Sequence, residues 1–136
     1  MFIPTFHFPE NCNEAITFYQ KTLGAEIKNI AYAKDAPADA GLEEVSPDYV
    51  TYSEILIFGT HIGMTDMGEG QITNENTTFM LLFDSDEEVT TVFNKFAEAD
   101  GVKIIEPLAP QFWCSLNGSI EDPFGISWNI GTRTTK

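Results

Sequence analysis

Residues 121–130 read Glu-Asp-Pro-Phe-Gly-Ile-Ser-Trp-Asn-Ile. Asp122-Pro-Phe-Gly125 has the make-up of a tight turn, with proline preset for its second position and glycine for its last. The next residues alternate: Ile126, Trp128 and Ile130 are apolar, Ser127 and Asn129 polar, the period-two pattern of a half-buried strand. The stretch is therefore the closing turn and strand of a sheet. The rest of that sheet, sought upstream, appears twice.

Residues 76–105, "NTTFMLLFDSDEEVTTVFNKFAEADGVKII", predict a strand over 77–83 and then a helix with Val89, Val92, Phe93 and Phe96 on one face. Asp84 to Asp86 offer its caps and Gly101 its stop, while Asp86, Glu87 and Glu88 suit the positive end of the helix dipole. Further strands come at Val102–Ile105, at "QFWCSLNG" (111–118) and at "GISWNI" (125–130). The N-terminal half repeats this order. "FIPTFHF" (2–8) is a strand, and "NCNEAITFYQKTLGAEI" (11–27) a helix with Ala15, Ile16, Tyr19 and Leu23 at helical spacing. Asn11 or Asn13 is its cap and Gly24 its stop. Three strands come next: Ala25–Ala33, "YVTYSEILIF" (49–58) and "HIGMTDM" (61–67), with Gly59-Thr60 marking a hairpin. Residues 34–48 read as a surface loop and 67–76 as a linker.

Strand, helix and three strands, stated twice, predict an α+β protein of two βαβββ modules, residues 1–70 and 71–136. A single four-stranded module cannot cover its own apolar sheet, so the two are expected to form one domain over 1–136.

Composition narrows the function classes. The 136 residues are 43% hydrophobic, with 11 Phe, 4 Tyr and 2 Trp, as in a folded protein. No apolar run is long enough to span a membrane. The N-terminus has neither a basic segment nor a cleavage site, which predicts a cytoplasmic protein. Seven Lys and Arg against 21 Asp and Glu give a formal charge of -14. Such a field repels nucleic acid and anionic lipid; it is compatible with a cationic ligand, while the scatter of the acids along the chain reads as a solvated surface. Cys12 and Cys114 lack a Cys-x-x-Cys spacing and read as free thiols. No phosphate-binding glycine loop and no Gly-x-Ser-x-Gly elbow is present.

Three stretches together resemble the vicinal oxygen chelate superfamily, which includes glyoxalase I, extradiol dioxygenases and the bleomycin- and fosfomycin-resistance proteins. They are Asn11–Tyr19 running to Leu23-Gly-Ala-Glu26; Ser53–Gly59 with Met64-Thr-Asp66; and Trp113 followed by Asp122–Trp128. Within it the chain looks PhnB-like, of the kind called glyoxalase-like. The resemblance implies a cupped mixed sheet with helices outside, a small-molecule cavity on the concave side and a homodimer. Exposed strand edges also favour self-association.

Metal-dependent members of that superfamily carry His or Glu on the concave face of the first and last strand of each module. By resemblance those four positions fall here on Pro4, Gly63, Thr78 and Asn129. Proline and glycine have no donor side chain, and a hydroxyl and an amide are poor ligands for a transition ion. No metal and no cofactor are therefore expected, and Asn129 is neutral because it has no ion to bind. By alternation His7 turns towards the helix. Glu54, interrupting an apolar strand, and His61 are the candidate catalytic residues, and a displaced Glu54–His61 or Asp66 metal site is the alternative.

The expected binding surface comprises Phe6, Phe8, Glu54, Thr78, Met80, Trp113 and Asn129, with Leu82 adding apolar floor and Phe112 a stacking surface. The function expected is binding of a small amphipathic or cationic molecule, in the manner of bleomycin-resistance proteins. The alternative is an isomerase, lyase or dioxygenase-like enzyme using a displaced metal or Glu54 and His61 as acid and base.

Overall fold

The computed structural model describes residues 1–67 and 77–133. The linker expected over 67–76 lies, from Gly68 onward, outside the described residues. The chain divides into two compact units, Met1–Gln71 and Ile72–Lys136.

The first unit runs β1 (Thr5–Pro9), α1 (Cys12–Leu23), β2 (Glu26–Tyr32), a 3-10 turn at Ala33–Asp35, β3 (Val50–Ile57) and β4 (Thr60–Met67). Its sheet has the order β1-β4-β3-β2. β1 and β4 are parallel and the other neighbours antiparallel, so the sheet is mixed. A two-residue turn joins β3 to β4, with Ile57 opposite Thr60. Phe58 and Gly59 both have positive φ, 46° and 81°, as the twist of a tight hairpin demands. α1 buries Cys12, Ala15, Ile16, Tyr19 and Leu23 against the sheet and ends at Gly24, whose φ of 65° glycine accepts at least cost. Residues 36–49 form turns, pinned to α1 where Asn13 Nδ2 donates to the Asp48 carbonyl at 2.9 Å.

The second unit runs β5 (Phe79–Phe83), α2 (Asp86–Ala97), β6 (Lys103–Ala109), β7 (Asn117–Glu121) and β8 (Ser127–Thr132), in the order β5-β8-β7-β6 with β5 and β8 parallel. α2 buries Val89, Phe93 and Phe96. Trp128 is packed against Phe79 and Phe96, with ring centroids 5.7 and 5.8 Å away. Ser85 caps α2: its Oγ accepts the Glu88 N–H at 3.2 Å and donates to the Glu88 carboxylate at 3.1 Å, so one hydroxyl ties both ends of the Ser-x-x-Glu segment.

Besides the hairpin, whose turn residues are Phe58-Gly59 and not Gly59-Thr60, the end of α2 and the strand expected at 111–118 need correction. α2 ends at Ala97, with Glu98 still right-handed as C-cap. Gly101 (φ 83°) closes the turn after the helix and does not stop the helix itself. Residues 111–116 are not a strand. Gln111 N–H donates to the Cys114 carbonyl at 3.0 Å, folding the segment into a bend, and β7 starts only at Asn117. β6 runs to Ala109 instead, and its Pro107 is tolerated because β6 is an edge strand.

Among the described residues no helix is long and apolar enough to cross a membrane.

Candidate functional site

Each sheet has one face covered by its helix and one open face, and the residue register decides which side chains reach each. In β1, Phe6 and Phe8 are buried, while Thr5 and His7 are exposed. Phe6 is in register with Met64 and Phe8 with Asp66, both buried as well. Asp66 Oδ1 accepts the Cys12 N–H at the start of α1 at 2.9 Å, which places this whole row on the helix side.

Phe6 and Phe8 are therefore core residues beneath α1 and do not belong to the binding surface expected of them. His7, in turn, faces away from α1, where its Nδ1 lies 2.7 Å from Thr65 Oγ1. The alternation Phe-His-Phe carries this answer, since a strand buries its apolar parity, whereas alignment through Pro4 sets the opposite one. Gly63 is in register with Thr5, one step beyond Pro4, and its N–H donates to the Pro4 carbonyl at 2.8 Å. Pro4 and Gly63 thus do not share the parity expected of them.

The open face of the first unit brings both proposed catalytic residues together. Glu54 Oε2 lies 3.0 Å from His61 Nδ1, and Tyr52 Oη donates to Glu54 Oε1 at 3.4 Å. The Glu54 side chain is 23% exposed and that of His61 36%, so the pair is shielded yet reachable. Glu54 stands opposite Gly63, which contributes no side chain to the face. A Cβ there would meet Thr5 Oγ1 at 2.6 Å, so the Thr5 side chain lies over this position and the close approach of β1 and β4 requires glycine.

Asp66 is not part of this pair. Its second oxygen accepts the Val50 N–H at 2.8 Å, so the carboxylate ties β4 to the start of both α1 and β3. Burial, followed by the Asp66 charge, pushes the Cys12 thiol up to about 12. Burial and then Asp66 and Glu10 also raise the Tyr49 hydroxyl, which donates to the Asp66 carbonyl at 3.1 Å.

In the second unit Met80 and Leu82 are exposed on the open face, and Thr78 precedes β5 at the same parity. Asn129 is in register with Met80 on one side and Ser119 on the other. Its amide is engaged by a residue that sequence reasoning misses. Asn117 Nδ2 donates to Asn129 Oδ1 at 2.8 Å, and Asn129 Nδ2 returns a bond to Asn117 Oδ1 at 2.9 Å. Placing a strand at 111–118 hides this partner; centring the hairpin on Asp122–Gly125 brings Asn117 within two residues of the position opposite Asn129.

Trp113 lies in the 111–116 bend, 48% exposed, edge-on to the almost fully exposed Phe112 at 4.8 Å. Asp122, read from sequence only as a turn former, is a buried acceptor. Its carboxylate receives the N–H groups of Phe124 and Ile126 and the Trp128 indole N–H at 2.9, 3.0 and 2.9 Å.

These donors do not fit a divalent transition ion. Pro4 and Gly63 carry no donor side chain, Thr78 and Asn129 offer only a hydroxyl and an amide, and among the described residues no three His, Cys, Asp or Glu side chains are grouped to hold a metal.

The glyoxalase/bleomycin resistance protein/dioxygenase superfamily model matches residues 6–130. Protein YjdN of Escherichia coli (strain K12) is 32% identical over 136 residues, covering 93% of this chain and 91% of that protein. A PhnB protein from Bacillus cereus superposes with a TM-score of 0.77 at 20% identity, over 97% of this chain and 98% of that one. A fosfomycin resistance protein, FosX, of Listeria monocytogenes, complexed with Mn(II) and 1S,2S-dihydroxypropylphosphonic acid, gives 0.70 at 16% identity, over 99% and 93%. The paired strand-helix-strand units have the glyoxalase/bleomycin-resistance fold, and the chain belongs to the glyoxalase/bleomycin resistance protein/dioxygenase superfamily as a YjdN- and PhnB-like member.

Proposed function

We propose that this chain binds a small amphipathic or cationic organic molecule, with the open face of the first sheet supplying the polar anchor. The observation that carries the reading is Glu54. Its carboxylate is mostly withdrawn from water, held by His61 and Tyr52, and stands opposite Gly63 of the neighbouring strand. A partly desolvated carboxylate attracts a cation more strongly than an exposed one, and the neighbouring Tyr52 ring adds an aromatic surface for an alkylated ammonium group. The charge of -14 raises the local concentration of such ligands. No metal or cofactor enters this reading.

Titration of the 15N-labelled protein with hexyltrimethylammonium bromide tests it. The expected result is saturable shifts at Tyr52, Glu54 and His61, weakened at least tenfold by Glu54→Gln. Undiminished binding in that variant, or shifts elsewhere only, overturns the assignment.

A second reading rests on the 3.0 Å His61–Glu54 contact. With Nδ1–H donating to the carboxylate, Nε2 is the proton acceptor, the arrangement a general base requires. Proton abstraction next to a carbonyl is the reaction it would serve. Deuterium exchange into dihydroxyacetone above the buffer rate, lost in His61→Asn, would favour this enzyme reading over simple binding.

A further inference from the structure

We infer that the Asn117–Asn129 amide pair is the polar half of a second binding site, selective for a neutral carboxamide-type group attached to an apolar body. The inference deepens the small-molecule reading and rests on it only in treating the open sheet faces as binding surfaces.

Two bonds of 2.8 and 2.9 Å running in opposite directions close an amide–amide ring. Each amide spends one N–H and one lone pair on its partner. The second N–H of one amide then lies beside the second lone pair of the other, so each edge of the pair presents a donor next to an acceptor. Among the described residues no further hydrogen bond engages either side chain. A carboxamide edge, itself a donor beside an acceptor, matches that pattern. A carboxylate offers acceptors only and an ammonium donors only, so each would leave one partner unmatched, which is how a hydrogen-bonding site discriminates most strongly.

Room for the pair is built into β8. A Cβ at Gly131 would run into Asn117 Nδ2 and come within 3.1 Å of the Leu116 carbonyl oxygen. Asn117 is 5% exposed, so its amide is fixed before any ligand arrives, while Asn129 is only half-buried and stays accessible from the open face. Beside Asn129, in register with it, Met80 is 59% exposed, and Leu82, two residues on, is 45% exposed. These supply an apolar surface next to a neutral polar one.

The test compares three probes with the same six-carbon chain: hexanamide, hexanoate and hexylammonium. Side-chain amide signals of Asn117 and Asn129 are followed in the 15N-labelled full chain. Hexanamide is expected to shift both amides saturably, and hexanoate and hexylammonium to shift them at least tenfold less at equal concentration. Gly131→Ala, which displaces the Asn117 amide, should abolish the hexanamide response without touching an exposed side chain. Met80→Ser, at an exposed position that does not threaten folding, should weaken it several-fold with the free-state amide shifts unchanged. No response to hexanamide, equal responses to all three probes, or a Met80→Ser variant that binds as the parent would overturn the inference and leave the pair as a strand clip. Glu54→Gln should not alter hexanamide binding, so this site and the cation site fail or survive separately.

Discussion

Cys12 is wholly buried at the first turn of α1, beside the Asp66 carboxylate, and its thiol is pushed up to about 12. In the unfolded chain the same thiol ionises near its ordinary 9.0. Between those values the unfolded state holds fewer protons than the folded one. Stability from this group is therefore complete below about pH 9 and is lost as pH climbs towards 12. Urea midpoints at pH 8, 9.5 and 10.5 should fall more steeply in the parent than in Cys12→Ala. A thiol held protonated is also a poor nucleophile, so a disulfide reagent at pH 8 should modify Cys114 promptly and Cys12 only on unfolding. Asp122 offers a second test at this scale. Replacing it with Ala strips three N–H groups of their acceptor, and leaving buried donors unmatched costs about 1–3 kcal/mol each. Denaturant unfolding should show a loss of roughly 3 kcal/mol or more, whereas Asp122→Asn, keeping one oxygen, should lose less.

The two helices are capped in different ways, and the contrast shows what a sequence can reveal. α2 carries its cap within the chain segment, Ser85 followed by Glu88, and this is legible because a Ser-x-x-Glu cap is a local pattern. Asn11 heads α1 without making a side-chain cap bond; the first N–H goes to Asp66, 54 residues away. No window of sequence contains that partner. Ser85→Ala should therefore cost about 1 kcal/mol. Asp66→Ala, which frees the N–H groups of both Cys12 and Val50, should cost at least twice that, measured by the same unfolding curves. The same division runs through the candidate site. Element order and the helix faces come from period and punctuation, and so does the open-face parity of Met80, Leu82 and Asn129. Parity in β1 is misread when it is set from Pro4, before the strand begins, because Phe6 and Phe8 themselves mark the buried side. Asn117 and Tyr52 escape notice for the reason Asp66 does: their roles exist only once strands are in register.

Across the whole chain two features pull against each other. A formal charge of -14 on 136 residues makes copies repel, while Met80, Ile105, Phe112 and Trp113 leave large apolar side chains 48–97% exposed. Singly exposed apolar residues are ordinary, but Ile105, Phe112 and Trp113 give one unit apolar surface that a second copy would remove from water. The chain is accordingly expected to self-associate into a homodimer whose stability is governed by screening. At 20 mM salt the Debye length is about 20 Å and repulsion between copies opposes association; at 300 mM it shrinks below about 8 Å and the apolar contribution prevails. Light scattering should then report a mass near the 15.1 kDa of one chain in dilute low-salt solution, moving towards twice that value as salt is raised. Replacing Phe112 and Ile105 together by Ser should hold the protein at the single-chain mass at both salt concentrations. A monomer under all conditions would remove the dimer, and a dimer insensitive to salt would show that its interface excludes the acidic surface.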